Sequence, residues 1–131
     1  MSDDKGSVNI DEWLRIARTD WERVKRNLKA NDISAAGFYL QQSLEKYLKA
    51  FLLLRGWRFR KIHELDALLD EAVKHEPGLA SFYELCERVT NYYIADRYPG
   101  FGDLGVSAKD MENDMAEARN FIKTLFPEEK L

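Results

Sequence analysis

Gln41-Gln42-Ser43-Leu44-Glu45-Lys46-Tyr47-Leu48-Lys49-Ala50 is the stretch on which the fold turns. Leu44, Tyr47 and Leu48 continue a series that starts with Ile33, Ala36 and Leu40 and ends with Phe51 and Leu52. Apolar residues at three- and four-residue intervals mark one face of an α-helix, and a stripe this wide touches more than one neighbour. The spacing therefore predicts the central helix of a bundle. Asn31-Asp32 breaks the chain before it, and Gly56, at the C′ position after Arg55, stops it.

Working outward, Trp13, Ile16, Ala17, Trp21, Val24 and Leu28 draw a second stripe, on a helix expected to start at an Asn9 N-cap with Glu12 at the capping-box position. Its other faces carry Arg15, Arg18, Arg23, Lys25, Arg26 and Lys29. Downstream, Leu65, Leu68, Leu69, Ala72 and Val73 predict a shorter helix from about His63 to His75, ended by Pro77-Gly78. A fourth, from about Ala80 to Ala95, uses Phe82, Leu85, Cys86, Val89 and Tyr92 or Tyr93. Asp96 to Asp103 reads as the one long irregular stretch. Ser107, with Asp110 at capping-box distance, opens a last helix whose Met111, Met115, Ala118, Ile122 and Leu125 face inward until Phe126-Pro127. Short connections between long helices imply antiparallel neighbours. The expectation is all-α: an up-and-down bundle of four to five helices over residues 9–127, preceded by a flexible tail, residues 1–8.

Composition agrees. A chain of 131 residues fits one domain and can bury about two-thirds of its unfolded surface. Apolar residues are 45% and charged residues 33%, with three Pro and seven Gly, which disfavours both disorder and a loop-rich β fold. Cys86 is the single cysteine, so an intramolecular disulfide and a Cys-based zinc site are both excluded, and a cytoplasmic location is expected. Ala50 to Leu54, the longest wholly apolar run, is far too short to span a bilayer, and Met1 to Val8 lacks an apolar core, so neither membrane insertion nor export is expected. The net charge of −3 is divided: residues 1–8 carry −1, residues 9–61 carry +6 and residues 62–131 carry −8. Separated fields of this kind steer partners of opposite sign, although solvated helix faces that interleave in space give the same count.

The stretch quoted first resembles the QQ-x-x-EK-x-x-KA helix of the HEPN family, and His63-Glu64-Leu65 opens the next helix at the distance that family shows. Tyr93-Ile94-Ala95-Asp96-Arg97-Tyr98-Pro99 is similar to its Y-x-x-x-RYP signature at the end of the fourth helix. Order and spacing together extend the resemblance over roughly residues 10–126. It implies a four- or five-helix bundle, commonly a homodimer, often encoded beside a small nucleotidyltransferase-like partner. Many members are metal-independent ribonucleases or toxins with Arg-x4–6-His near the RYP turn. Here Arg97 is present, but Gly102, Asp103 and Leu104 at the permitted spacing include no histidine. The resemblance thus implies a non-catalytic module of a toxin–antitoxin-type pair that binds nucleotide, RNA or a partner protein. An RNA-cleaving toxin using Arg97 and a purely structural adaptor are the alternatives.

The residues support candidate contacts on their own chemistry. The Arg97 guanidinium at a glycine-flanked turn can grip phosphate bidentately and Tyr98 can stack on a base, although a cation there also suits the helix C-terminus. Arg58, Arg60 and Lys61, interleaved with Trp57 and Phe59, form a basic connector able to bind phosphates; the alternative is that the aromatics fold back on the core while the charges stay in water. Arg58 and His63 also fit Arg-x4-His, but in another part of the bundle, and His63 is expected to cap or pack helix three. Glu45 and Lys49 can form an exposed i,i+4 pair of a few tenths of a kcal/mol. Alternatively Gln41, Gln42 and Glu45 turn inward as a polar lining facing the Arg97 turn. No catalytic residue and no cofactor is assigned. No metal site is expected, since His63 and His75 lack ligand spacing and no acidic run matches a calcium loop. Gly100-Phe101-Gly102 is neither a P-loop nor a dinucleotide fingerprint. Tyr92, Tyr93, Ile94, Tyr98 and Phe101 exceed what one helix face buries, which predicts a symmetric dimer through the fourth helix.

Overall fold

Two residues with left-handed backbone set the ends of the two long helices. Asn31, at φ 62°, follows α1 (Asp4–Lys29), and Gly56, at φ 86°, follows α2 (Ile33–Leu54). Each is the C′ residue of a Schellman motif. Asn31 N–H donates to Leu28 O (2.9 Å) and Asp32 N–H to Asn27 O (2.8 Å); Gly56 N–H donates to Leu53 O (3.1 Å) and Trp57 N–H to Leu52 O (2.9 Å). The Asp32 carboxylate then caps α2 by accepting from Ala35 N–H at 3.1 Å, so that one tight turn folds α1 back along α2.

The computed structural model describes residues 4–98 and 105–131. After α2 come α3 (Leu65–Val73), a 3₁₀ segment (Pro77–Phe82), α4 (Tyr83–Arg97) and α5 (Ala108–Leu125), with no strand among the described residues. The all-α bundle is as the stripes predict. Several boundaries differ. The first helix is described from Asp4, so Asn9 lies inside it and is not its cap. Pro77 does not simply stop α3: it sits at the start of the 3₁₀ segment, whose Leu79 is fully buried, and α4 starts three positions later than expected. Asp96 and Arg97 are helical, which places Arg97 in the last turn of α4. Pro99 to Leu104, with most of the expected irregular stretch and Phe101, lie outside the described residues.

Burial confirms α2 as the central helix. Leu40, Leu44, Tyr47, Leu48, Phe51 and Leu52 are buried, and α1, α3, α4 and α5 all pack on it. Burying each such side chain contributes about 1.5–3 kcal/mol. α4 comes unusually close: a Cβ placed on Gly37 would stand 2.6 Å from Tyr92 Cβ and 3.1 Å from its Cγ. The capping box of α5 forms as read, Asp110 N–H to Ser107 Oγ and Ser107 N–H to the Asp110 carboxylate, both at 3.0 Å. Beyond α5, Glu129 folds back onto α1 and α2. It is buried and accepts from Tyr47 Oη (2.8 Å) and Arg18 Nε (2.5 Å). Cys86 is buried, and burial pushes its thiol up to about 12, with Asp66 and Glu117 adding to the effect. No helix among the described residues is long and apolar enough to cross a membrane.

Candidate functional site

On α2 the polar residues of the opening stretch fall at helical spacing. Gln41, Glu45 and Lys49 succeed one another at i, i+4 along one line, beside Gln42 and Lys46. That line is not solvated: Gln41, Glu45 and Lys49 are all buried, Lys49 to 1% exposure. The connector between α2 and α3 and the last turns of α4 close over it, leaving a cleft of about 950 Å³. Gln41, Gln42 and Glu45 therefore line a groove that also includes Arg97, the second of the two placements open to them.

Glu45 is the hub. Its Oε2 accepts from Lys49 Nζ at 2.8 Å and pairs with His63 Nδ1 at 2.9 Å, while its Oε1 accepts from Gln41 Nε2 at 3.3 Å. Burial alone would raise the Glu45 carboxyl. The hydrogen bonds from His63 and Lys49, with the charges of Lys49 and Lys46, outweigh it and hold the group below the usual carboxylate range. The Glu45–Lys49 pair is thus buried, and the figure of a few tenths of a kcal/mol for an exposed pair does not apply. Lys49 Nζ also lies 5.3 Å from the ring centroid of Trp13 and 5.7 Å from that of Phe59.

His63 neither caps nor packs α3. The N-cap residue is Glu64, and the His63 side chain is 68% exposed. An ionised carboxylate only accepts, so His63 Nδ1 carries the proton of this hydrogen bond, and the residue lines the cleft. Gln41 Nε2 additionally donates to His63 O at 3.4 Å, Gln42 Nε2 to Gln41 Oε1 at 2.6 Å and Lys46 Nζ to Gln42 Oε1 at 3.0 Å. Lys46 reaches Asp20 at 3.5 Å, and Asp20 pairs with Arg23 at 3.0 Å. The polar floor is therefore one connected network, which fixes the direction of every donor and acceptor in it.

Across the cleft, Arg97 is exposed. Its guanidinium carbon stands 5.5 Å from the ring centroids of both Phe38 and Tyr93, which stack on each other at 5.6 Å and 14°. Among the described residues neither Arg97 nor Lys61 is ion-paired, so both charges are available to an anion. Of the residues singled out in the sequence, Arg97, Tyr98 and Lys61 line the cleft, whereas Arg58 and Arg60 are exposed outside it. The connector divides by alternation: Phe59, Lys61 and His63 face the cleft and Arg58 and Arg60 do not. Trp57 packs against the core, while Phe59 stays 45% exposed. Tyr92 bonds to Asp114 of α5 and Tyr93 stacks on Phe38, and both remain half-buried.

A second basic groove, of about 360 Å³, runs between α1 and α5, with Lys25, Lys29 and Arg119 beside Glu112. It has no comparable buried network. Among the described residues no group of three or more His, Cys, Asp or Glu side chains could hold a metal ion. In comparison with known proteins, the family model for the HEPN domain matches residues 10–130, nearly the whole chain. No curated protein matches. No solved structure matches either.

Proposed function

Because the chain belongs to the HEPN domain family, we propose that it binds a phosphate-bearing ligand, a nucleotide or RNA, in the cleft between α2, the α2–α3 connector and the end of α4. One observation carries this reading. Two motifs far apart in sequence, Gln41–Lys49 and Tyr93–Tyr98, meet in a single cleft whose exposed cations, Lys61 and Arg97, have no ion-pair partner among the described residues. A guanidinium matches phosphate geometry, and the side-chain amides of the floor suit the polar edges of a base. The protein in this reading acts without catalysis, as the binding half of a toxin–antitoxin-type pair with a small nucleotidyltransferase-like protein. The missing histidine after Arg97 and the resemblance support that part.

Fluorescence anisotropy with a short single-stranded RNA, and calorimetry with adenosine monophosphate, test the reading. Arg97→Ala and Lys61→Ala should each weaken binding and reduce the double-logarithmic salt slope by about one. Unchanged affinity in both variants would refute it. Self-association through α4 belongs to the same reading, supported by Tyr98, which is 54% exposed beside Arg97. A monomer mass in sedimentation at micromolar concentration would remove the dimer.

A second reading has an observation of its own. Glu45 orients His63 in the cleft that holds Arg97, as a carboxylate orients a histidine base. On this view His63 replaces the histidine absent after Arg97, and the protein cleaves RNA. Incubation of RNA with the protein in chelator separates the two. The binding reading expects negligible cleavage, whereas cleavage lost in both His63→Ala and Arg97→Ala would favour the enzyme.

A further inference from the structure

Phe59 and Tyr98 are two of the three large apolar side chains that stand exposed among the described residues, and both line the cationic cleft. Phe59 is also held in place. Trp13 stacks on it with ring centroids 5.9 Å apart at 26°, and Trp57 meets it edge-on at 6.1 Å and 70°. The Lys49 ammonium stands 5.7 Å from its centroid. A surface ring fixed by two tryptophans has little freedom left to lose when a ligand covers it, so covering it is favoured over covering a mobile side chain. Next to it, Lys61 supplies positive charge and the Gln41–Gln42 pair supplies amide donors and acceptors.

We propose that Phe59, backed by Trp13, is a stacking subsite for an unpaired nucleobase, whose phosphate is held by Lys61 or Arg97. The inference rests on the cleft being the nucleotide site proposed above, and it adds the part that recognises the base. Bases in a duplex are already covered on both faces, so the subsite takes a free nucleotide or single-stranded RNA and not a double helix.

The test uses the full chain and three probes: a short oligoadenylate RNA, the same backbone with abasic sites, and adenosine monophosphate. Phe59→Ala should weaken binding of the oligoadenylate by about 5- to 100-fold and leave the abasic strand unaffected. Phe59→Trp, which keeps a stacking face, should retain the wild-type affinity, and this holds as a check if Phe59→Ala unfolds. Tighter binding of the oligoadenylate than of the monophosphate assigns the base to RNA, and the reverse assigns it to a free nucleotide. Equal losses for the base-bearing and abasic strands, or no loss for either, would overturn the stacking subsite. Failure of the cleft itself looks different: Arg97→Ala and Lys61→Ala would then leave all three probes bound as before.

Discussion

The imidazole Nδ1 of His63 lies 2.9 Å from Oε2 of Glu45, across eighteen positions of sequence, and that oxygen also accepts from the buried ammonium of Lys49. One carboxylate thus ties the α2–α3 connector to the central helix. It compensates the charge of Lys49 inside the protein and holds His63, which lines the cleft. Fold stability and site geometry share a residue here, and the first prediction follows from that sharing.

Glu45→Ala removes the partner of a lysine that is 1% exposed, which should cost about 3–5 kcal/mol, as for other buried pairs broken on one side. Replacing both residues by leucine should recover most of the loss, because an apolar pair leaves no buried charge unpaired. Urea denaturation of the single and double variants measures it. A Glu45→Ala midpoint equal to wild type would show that Lys49 finds another partner or reaches water.

Acid should destabilise the protein through two carboxylates. Glu45 and Glu129 are both held below their ordinary value of 4.5. For Glu129 burial acts upward and the Arg18 and Tyr47 hydrogen bonds outweigh it. A group with a depressed folded-state value binds protons more tightly when unfolded. Its contribution is fully present above the unfolded value and disappears as pH falls through the folded one. Glu129→Gln should therefore cost about 1–3 kcal/mol near neutrality, where charged hydrogen bonds are lost. The gap from wild type should close as the solution is made acidic below the ordinary carboxylate value. A gap independent of pH would contradict the assignment.

Gly37 gives a prediction opposite in sign to helix propensity. Alanine inside a helix is normally better than glycine by about 1 kcal/mol. At Gly37 the added methyl would meet Tyr92 Cβ at 2.6 Å, with the backbone of α4 directly behind it. Gly37→Ala should destabilise by about 1–3 kcal/mol through overpacking, and should weaken ligand binding as well, since α4 carries Arg97. Thermal denaturation and the anisotropy titration check both halves. A stabilised variant would mean that α4 moves aside without strain.

The parts of this architecture that were legible in the sequence are those fixed by local rules. The stripe on α2, Gly56 after Arg55 and the Ser107–Asp110 capping box each depend on residues a few positions apart, and each stands where the sequence puts it. Where a local rule has a competitor, local sequence does not decide the outcome. Pro77 suits the first turn of a helix as well as a stop, and the burial of Leu79 decided for a 3₁₀ turn. The cleft was half legible. The resemblance pointed to Arg97, and period-four spacing lined up Gln41, Glu45 and Lys49. That this line faces inward depends on where the connector runs, and Trp13, Trp57 and Phe59 fix its path by packing that has no periodic trace in the sequence. His63 reaches Glu45 only because of that path. For the same reason Arg58 and Arg60, chosen for charge, proved to point away while Lys61 points in.

Whether a nucleotide ligand sits in the cleft joining α2 to the end of α4 is decided by a ¹H–¹⁵N correlation titration of the uniformly labelled protein with short oligoadenylate RNA. Shifts should concentrate at the Gln41 and Gln42 side-chain amides and at the backbone of Lys46, Phe59, Lys61, His63 and Arg97, all of which line the cleft. Shifts gathered instead around Lys25, Lys29 and Arg119, in the basic groove between α1 and α5, or none at saturating RNA, would contradict it.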